Sequence, residues 1–175
     1  MPRISVLGVN EGNFSYIENT SKYVAREDKC LDGYIGATNV YLPNNRKKIA
    51  GSIVSQMMTV REFHSQMDSR LGIHVIFAFS PDECKYITKA DLLSIGYHIA
   101  ETEFSDCITY FAVHDHTDNL HIDMLIDTVK ITDGKMYGCN LAGWRAVGNH
   151  LIQTLEEYIP KDKISPVQVS FSVNH

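Results

Sequence analysis

Four side chains that can bind a metal ion or carry a proton, His114, His116, His121 and Asp123, fall within ten residues of this 175-residue chain. Apolar runs flank them, Tyr110-Phe111-Ala112-Val113 before and Met124-Leu125-Ile126 after. Such runs, bounded by polar residues, read as two β-strands with 117–120 as the turn. Pairing His116 with His121 also pairs His114 with Asp123. Side chains two apart on a strand share a face, so the four groups are expected to form a two-by-two square. Opposed hairpin positions lie about 5 Å apart, close enough to share one cation. Leu120, Ile122, Met124 and Ile126 alternate with His121, Asp123, Leu125 and Asp127. The first set is expected to be the buried face, and a one-residue slip would bury the polar set instead. A solvated hairpin with scattered histidines is the plainer reading. Four potential ligands on one face favour a metal or acid–base site over it.

The remaining pattern supplies a scaffold for that hairpin. Residues 4–9 read as a first strand and 13–26 as a helix, with Phe14, Ile17 and Val24 at helical spacing. Residues 27–47 hold Gly33, Gly36 and Pro43 and read as irregular. That stretch runs into the densest basic cluster, Arg46-Lys47-Lys48, expected to lie in a loop. Ile49, Ile53, Met57 and Val60 mark a second, amphipathic helix. Residues 73–79 read as a central strand, apolar on both faces apart from His74. Thr88-Lys89-Ala90-Asp91 resembles a capping box opening a third helix. Strand 108–113 and its hairpin partner follow, then a turn at 132–135. A helix from 141 to 158 is closed by Pro160, and Val167, Val169, Phe171 and Val173 alternate as a last strand. The order β, α, α, β, α, β, β, α, β implies an α+β fold with a mostly antiparallel central sheet. Its core is a split β-α-β unit of ferredoxin-like type with flanking helices. The helices are expected on the face away from the histidines.

Length suggests one domain spanning 1–175. No stretch approaches the roughly 18 apolar residues of a membrane span, and the opening residues do not read as a signal peptide. Cys30, Cys84, Cys107 and Cys139 are widely spaced, which suits reduced thiols in a cytosolic protein rather than a cysteine-rich zinc site. The formal charge of −5 argues mildly against nucleic-acid binding. It divides unevenly, with a net +2 over 1–81 and −7 over 82–175. Part of the acid, Asp115, Asp118, Asp123 and Asp127, lies beside the histidines, where a cation would offset it.

These residues together resemble the relaxases of conjugative and mobilisable elements, which are HUH-type endonucleases. The family's metal motif is similar to His114-Asp115-His116, then 117–120, then His121-Ile122-Asp123. Ser21-Lys22-Tyr23-Val24 resembles the family's first motif, whose tyrosine is the nucleophile. Gly36-Ala37-Thr38-Asn39-Val40 is similar to the Thr-Asn-Cys segment that follows it. Residues 73–79 resemble the central strand, and the helix from Trp144 to Tyr158 resembles the closing helix. Three positions depart from the pattern. Asp123 stands where the family has its third histidine, His116 where it has an aspartate, and Ala78 where a serine is common. The two first departures read as an exchange of corners on one square, which keeps three histidines and one aspartate.

The resemblance implies a relaxase domain, the N-terminal part of a longer bacterial cytoplasmic protein, that nicks one DNA strand at an origin of transfer. It implies a magnesium or manganese ion held by His114 and His121 with Asp123 or His116. Tyr23 is then the nucleophile that keeps a 5′-phosphotyrosine link, and His116, if not a ligand, accepts its proton. Tyr16, seven residues earlier and on the same helical face, is the rival tyrosine. Lys22 and Arg26 are candidate contacts to DNA, or simply a solvated helix face; Arg46, Lys47 and Lys48 carry the better case as backbone contacts. His74 is either a support behind the metal or a satisfied core histidine. His98 and His150 are helix residues with no evident partner, and His64 and His175 read as surface. Implied partners are single-stranded or hairpin DNA, relaxosome accessory proteins and a coupling protein, without membrane insertion. Two alternatives remain: a rolling-circle replication initiator, disfavoured by the tyrosine-first order, and a non-catalytic DNA-binding module of the same fold.

Overall fold

The computed structural model describes residues 1–8, 14–30, 33–117, 119–138 and 140–172. The strands are β1 (Arg3–Gly8), β2 (Ile35–Thr38), β3 (Ile73–Ala78), β4 (Cys107–His114), β5 (His121–Lys130) and β6 (Gln168–Ser172). The helices are α1 (Phe14–Val24), α2 (Arg46–Phe63), α3 (Lys89–Glu103) and α4 (Leu141–Leu155). All nine expected elements are present and β2 is added. Val9, Asn13 and Val173, expected at the ends of elements, lie outside the described residues, as do Asp118, Cys139 and His175.

The strands form one sheet in the order β2-β4-β5-β3-β1-β6. Every neighbouring pair is antiparallel except β1 with β6. β3 and β4 both run antiparallel to β5, which lies between them, and α3 connects them. This is the split β-α-β unit read from the sequence. The capping box of α3 is also present, with Thr88 accepting from the Asp91 amide and Asp91 accepting from the Thr88 amide.

Helices cover both faces of the sheet, which corrects the expectation of one covered face. Ile122, Met124 and Ile126 of β5 pack with Phe111, Trp144, Leu151 and Leu155 on the α3/α4 side. Leu125 of the same strand packs with Ile17, Ile49, Ile53 and Met57 on the α1/α2 side. The polar set of β5 therefore does not face solvent: Asp123 and Asp127 are fully buried. A strand buried on both faces needs partners for each polar group it carries, and on β5 these come from Arg61 of α2, His74 of β3 and Asn119 of the preceding turn.

The stretch read as irregular holds β2, the edge partner of β4. Gly36 and Gly96 together leave the slot filled by Phe111; a Cβ at either would run into its ring. β2 ends at Asn39, whose φ of 61° is left-handed, a conformation asparagine tolerates better than most residues. Its side-chain amide donates to the Ser105 and Cys107 carbonyls at 2.8 and 2.9 Å and so pins the strand end to the start of β4. The basic cluster is also not in a loop. It is the first turn of α2, capped by Asn45, whose side chain accepts from the Lys47 amide.

Arg61 fastens the far end of α2. Fully buried, it donates to the Arg70 and Leu71 carbonyls at 2.8 and 2.6 Å and pairs with Asp127 at 2.5 Å. Arg61→Met leaves that carboxylate buried without its partner and is expected to cost about 3–5 kcal/mol in a denaturant melt. Burial raises the Asp127 carboxyl from 3.8 to about 6, against the opposing pull of Arg61. A carboxyl raised in the folded state stabilises the fold below its unfolded value and loses that contribution as pH climbs through its folded value. Without Arg61 the folded value rises further. The stability gap between wild type and variant should therefore widen from about pH 6 to about pH 8; a constant gap would contradict the pairing.

Candidate active site

The β4–β5 turn brings the histidines together, in a register two residues away from the expected one. His114 opposes His121, and Ala112 opposes Asp123. A shift of two preserves which face each side chain occupies, so His114, His121 and Asp123 still point to the α1 side. It moves His116 off the strand and into the turn. Beyond His114 the chain is held from its other side: the Asp115 amide donates to the Lys29 carbonyl at 3.0 Å, and the Asp115 carboxylate pairs with Lys89.

His114, His116 and His121 each offer a ring nitrogen to one cluster, with these atoms all within 4.8 Å of one another. The ring centroids are 5.1 to 5.6 Å apart. His121 Nδ1 is fixed by the Asn119 carbonyl at 3.0 Å, which leaves Nε2 with the lone pair. His114 is fully buried and donates from Nε2 to the Val24 carbonyl at 2.9 Å. Its Nδ1 faces Asp123 Oδ2 at 3.5 Å, and neither atom has a hydrogen-bond partner. The other oxygen of Asp123 is bonded to His74 Nε2, so His74 is tied to the cluster through Asp123. Burial lowers the His114 imidazole below its ordinary value, against the Val24 carbonyl and Asp123. Desolvation and then the nearby Lys29 lower His116. Both rings are therefore in the neutral form that a metal ion requires at neutral pH. Three converging imidazoles, plus a buried carboxylate and a buried nitrogen that face each other without a proton donor, fit a divalent cation.

Tyr23 lies against this cluster, its ring centroid 5.8 Å from that of His114 and 6.2 Å from that of His74. Its hydroxyl accepts from Lys29 Nζ at 3.1 Å. The same ammonium is 3.0 Å from His116 Nε2 and 4.4 Å from the centre of the Tyr23 ring. Lys29 was not singled out from the sequence. It sits in a stretch with no periodicity, and only the fold of the segment after α1 brings it to the tyrosine. Beside Tyr23 a groove of about 330 Å³ is lined by Tyr16, Asn19, Thr20, Leu7, His74 and Ile76. Tyr16 and Tyr23 thus share one groove, but Tyr23 is the one beside the imidazoles.

The basic candidates separate by what they touch. Lys22, Arg26, Arg46 and Lys47 line one shallow depression near the end of α1. Lys22 is exposed and pairs with Glu18 at 3.9 Å, and Arg26 pairs with Asp28 at 2.7 Å. Lys47 and Lys48 are exposed on the first turn of α2. Arg46 instead ties the chain to itself, donating to the carbonyls of Ala25, Arg26 and Cys30 at 3.0, 2.9 and 2.7 Å. Asp127, read as acid beside the cation site, belongs to the Arg61 pair.

A family model for the relaxases, described as MobA/VirD2-like, nuclease domain, matches residues 16–158. The chain belongs to that family. The match runs from Tyr16 to Tyr158 and takes in the tyrosine helix, the histidine hairpin and α4. Solved structures agree on the fold. One is the MobM relaxase domain bound to plasmid pMV158 oriT DNA with manganese, at 12% identity and a TM-score of 0.56, covering 90% of this chain and 85% of that one. A second MobM relaxase domain, bound to a 26-nucleotide pMV158 oriT DNA, has 13% identity and a TM-score of 0.52 over 90% and 85%. A third structure, described as the molecular basis of vancomycin resistance transfer in Staphylococcus aureus, has 12% identity and a TM-score of 0.53 over 88% and 89%. No curated protein sequence matches significantly. Among the described residues no helix is long and apolar enough to cross a membrane.

The contacts of Arg46 lead to a simple expectation. Arg46→Ala removes three charge-assisted bonds to carbonyls and should lower stability by about 2–4 kcal/mol in a denaturant melt. Lys47→Ala and Lys48→Ala should stay within about 0.5 kcal/mol of wild type. Equal effects at all three positions would refute the distinction.

Proposed function

We propose that this relaxase-family domain nicks one strand of DNA by transesterification onto Tyr23. The observation that carries the reading is the placement of the Tyr23 ring against His114, beside three imidazoles whose nitrogens converge. His114, His116 and His121 would hold a divalent ion, magnesium or manganese, with the Asp123 carboxylate, itself bonded to His74, beside the free Nδ1 of His114. An ion held there would supply charge neutralisation at the scissile phosphate.

The chain's own residues do the rest. Tyr23 Oη attacks the phosphorus, the bond to the 3′ oxygen breaks, and the 5′ side of the strand stays on the tyrosine as a phosphodiester. The tyrosine proton passes to solvent and the departing 3′ oxygen takes one up, so the step balances without a co-reactant. Because one phosphodiester replaces another, the reverse attack by a 3′ hydroxyl can reseal a strand. A tyrosine hydroxyl titrates near 10 in water and needs help at neutral pH. Lys29 gives it, since an ammonium donating to Oη stabilises the phenolate as it forms. His116 as the proton acceptor is less well supported, because the Tyr23 hydroxyl is bonded to Lys29 and not to His116.

The groove between Tyr16 and Ile76 suits a base flanking the scissile phosphate, where an aromatic side chain can stack on it. Lys22, Arg26 and Lys47 suit the sugar–phosphate backbone on the side of α1. By analogy with the MobM domains bound to oriT DNA, the DNA would be that of an origin of transfer; its single-stranded or hairpin form, and accessory and coupling proteins as partners, are what the family resemblance implies.

The test is covalent capture. The protein is incubated with manganese and a pool of single-stranded and hairpin oligonucleotides, denatured, and resolved on a gel. Wild type and Tyr16→Phe should retain DNA, Tyr23→Phe should retain none, and Lys29→Met should form the adduct about 100-fold more slowly. Adduct on Tyr23→Phe would overturn the assignment. Wild type that binds the pool but never captures it would favour the non-catalytic DNA-binding module.

A further inference from the structure

On the opposite side of the sheet from the tyrosine, α3 and α4 lie against each other and bring together three side chains the nuclease reading does not use. His98 and Glu103 come from α3 and His150 from α4. His150 Nδ1 is 2.5 Å from Glu103 Oε1. A carboxylate there holds the proton on Nδ1 and leaves the lone pair on Nε2. That Nε2 is 3.3 Å from His98 Nε2, with the two rings edge to face at a centroid distance of 5.1 Å. His98 is exposed and the other two are partly so, which leaves the pair open to ions from solvent.

We infer that His98 and His150 form a second metal site, a two-imidazole clip across the α3–α4 seam for a borderline transition ion of the zinc and nickel class. Zinc–nitrogen bonds are about 2.0–2.1 Å, and two such bonds at a tetrahedral angle put their nitrogens about 3.3 Å apart. The two Nε2 atoms already stand at that spacing, and a metal ion would take the place of the proton between them. Glu103 is the positioning residue, bonded to the far nitrogen of His150 in the manner common for metal-bound histidines. Water would complete the coordination. With two imidazoles as its protein donors, the site favours zinc or nickel over magnesium. The consequence is mechanical: an ion here ties together the two helices that cover one face of the sheet.

Nickel titration calorimetry at about pH 7.5, where free imidazoles are mostly neutral, tests the site on the full chain. Wild type should bind one more nickel ion than His98→Ala. His98 is exposed, so its loss leaves the core intact. Glu103→Gln should keep the stoichiometry and weaken the site about 10- to 100-fold. His121→Ala, which alters the triad on the other face, should leave the His98-dependent ion in place. Saturating nickel should raise the melting temperature of wild type by about 5–10 °C at one hundred times the dissociation constant, and His98→Ala should lose the part due to this site. Identical stoichiometry in wild type and His98→Ala would overturn the inference and leave the pair as an imidazole–imidazole hydrogen bond. A Glu103→Gln protein with unchanged affinity would remove Glu103 from it.

Discussion

The burial of His114 and Asp123 beneath the end of α1 is the constraint on which the candidate site depends. Two polar side chains on adjacent strands of a sheet covered from both sides must be satisfied or bound. His114 meets half of that need through the last carbonyl of α1, that of Val24, and this bond sets the height of the helix above the sheet. Asp123 meets half of its own through His74 on the neighbouring strand. What is left over, one imidazole nitrogen and one carboxylate oxygen 3.5 Å apart, has no donor. An unsatisfied pair of acceptors in the interior is costly unless a cation belongs there, so the same burial that fixes the tyrosine helix also creates the demand for an ion.

The segment after α1 carries the other half of the arrangement. Lys29 reaches Tyr23 and His116 only because residues 25–30 turn back on themselves, and Arg46 closes that turn from the start of α2. The backbone of Lys29 also accepts from the Asp115 amide, which holds the base of the histidine turn. Nucleophile, ammonium and imidazoles are therefore positioned by one short stretch of chain packed between two helices and the β4–β5 turn. Exposed charges on α1 and α2 are placed around this stretch without holding it together, which leaves them available for a polyanion despite the net negative charge of the chain.

Much of this was legible in the sequence where a single periodicity carried it. Alternation along β5 placed His121 and Asp123 on one face, and capping chemistry placed α3. Alternation reports parity and not register, so the two-residue shift that pairs His114 with His121 was invisible to it. It also could not show that the polar face would be covered, since that depends on where α1 and α2 come to rest. β2 escaped because it has four residues and a glycine that makes room for Phe111; its one signal was Asn39, a residue suited to the left-handed turn that ends it. Lys29, and the meeting of His98 with His150, depend on segments distant in sequence, and no local pattern encodes them.

The most direct measurement is electron spin-echo spectroscopy of manganese bound to the protein, read for coupling to imidazole nitrogen. Three coupled imidazoles are expected in wild type and two in His116→Ala. Asp123→Asn should keep all three while binding the ion about 10- to 100-fold more weakly. Bound manganese with no imidazole coupling, or a count that does not change in His116→Ala, would contradict the claim that the histidine cluster beside Tyr23 is the metal centre.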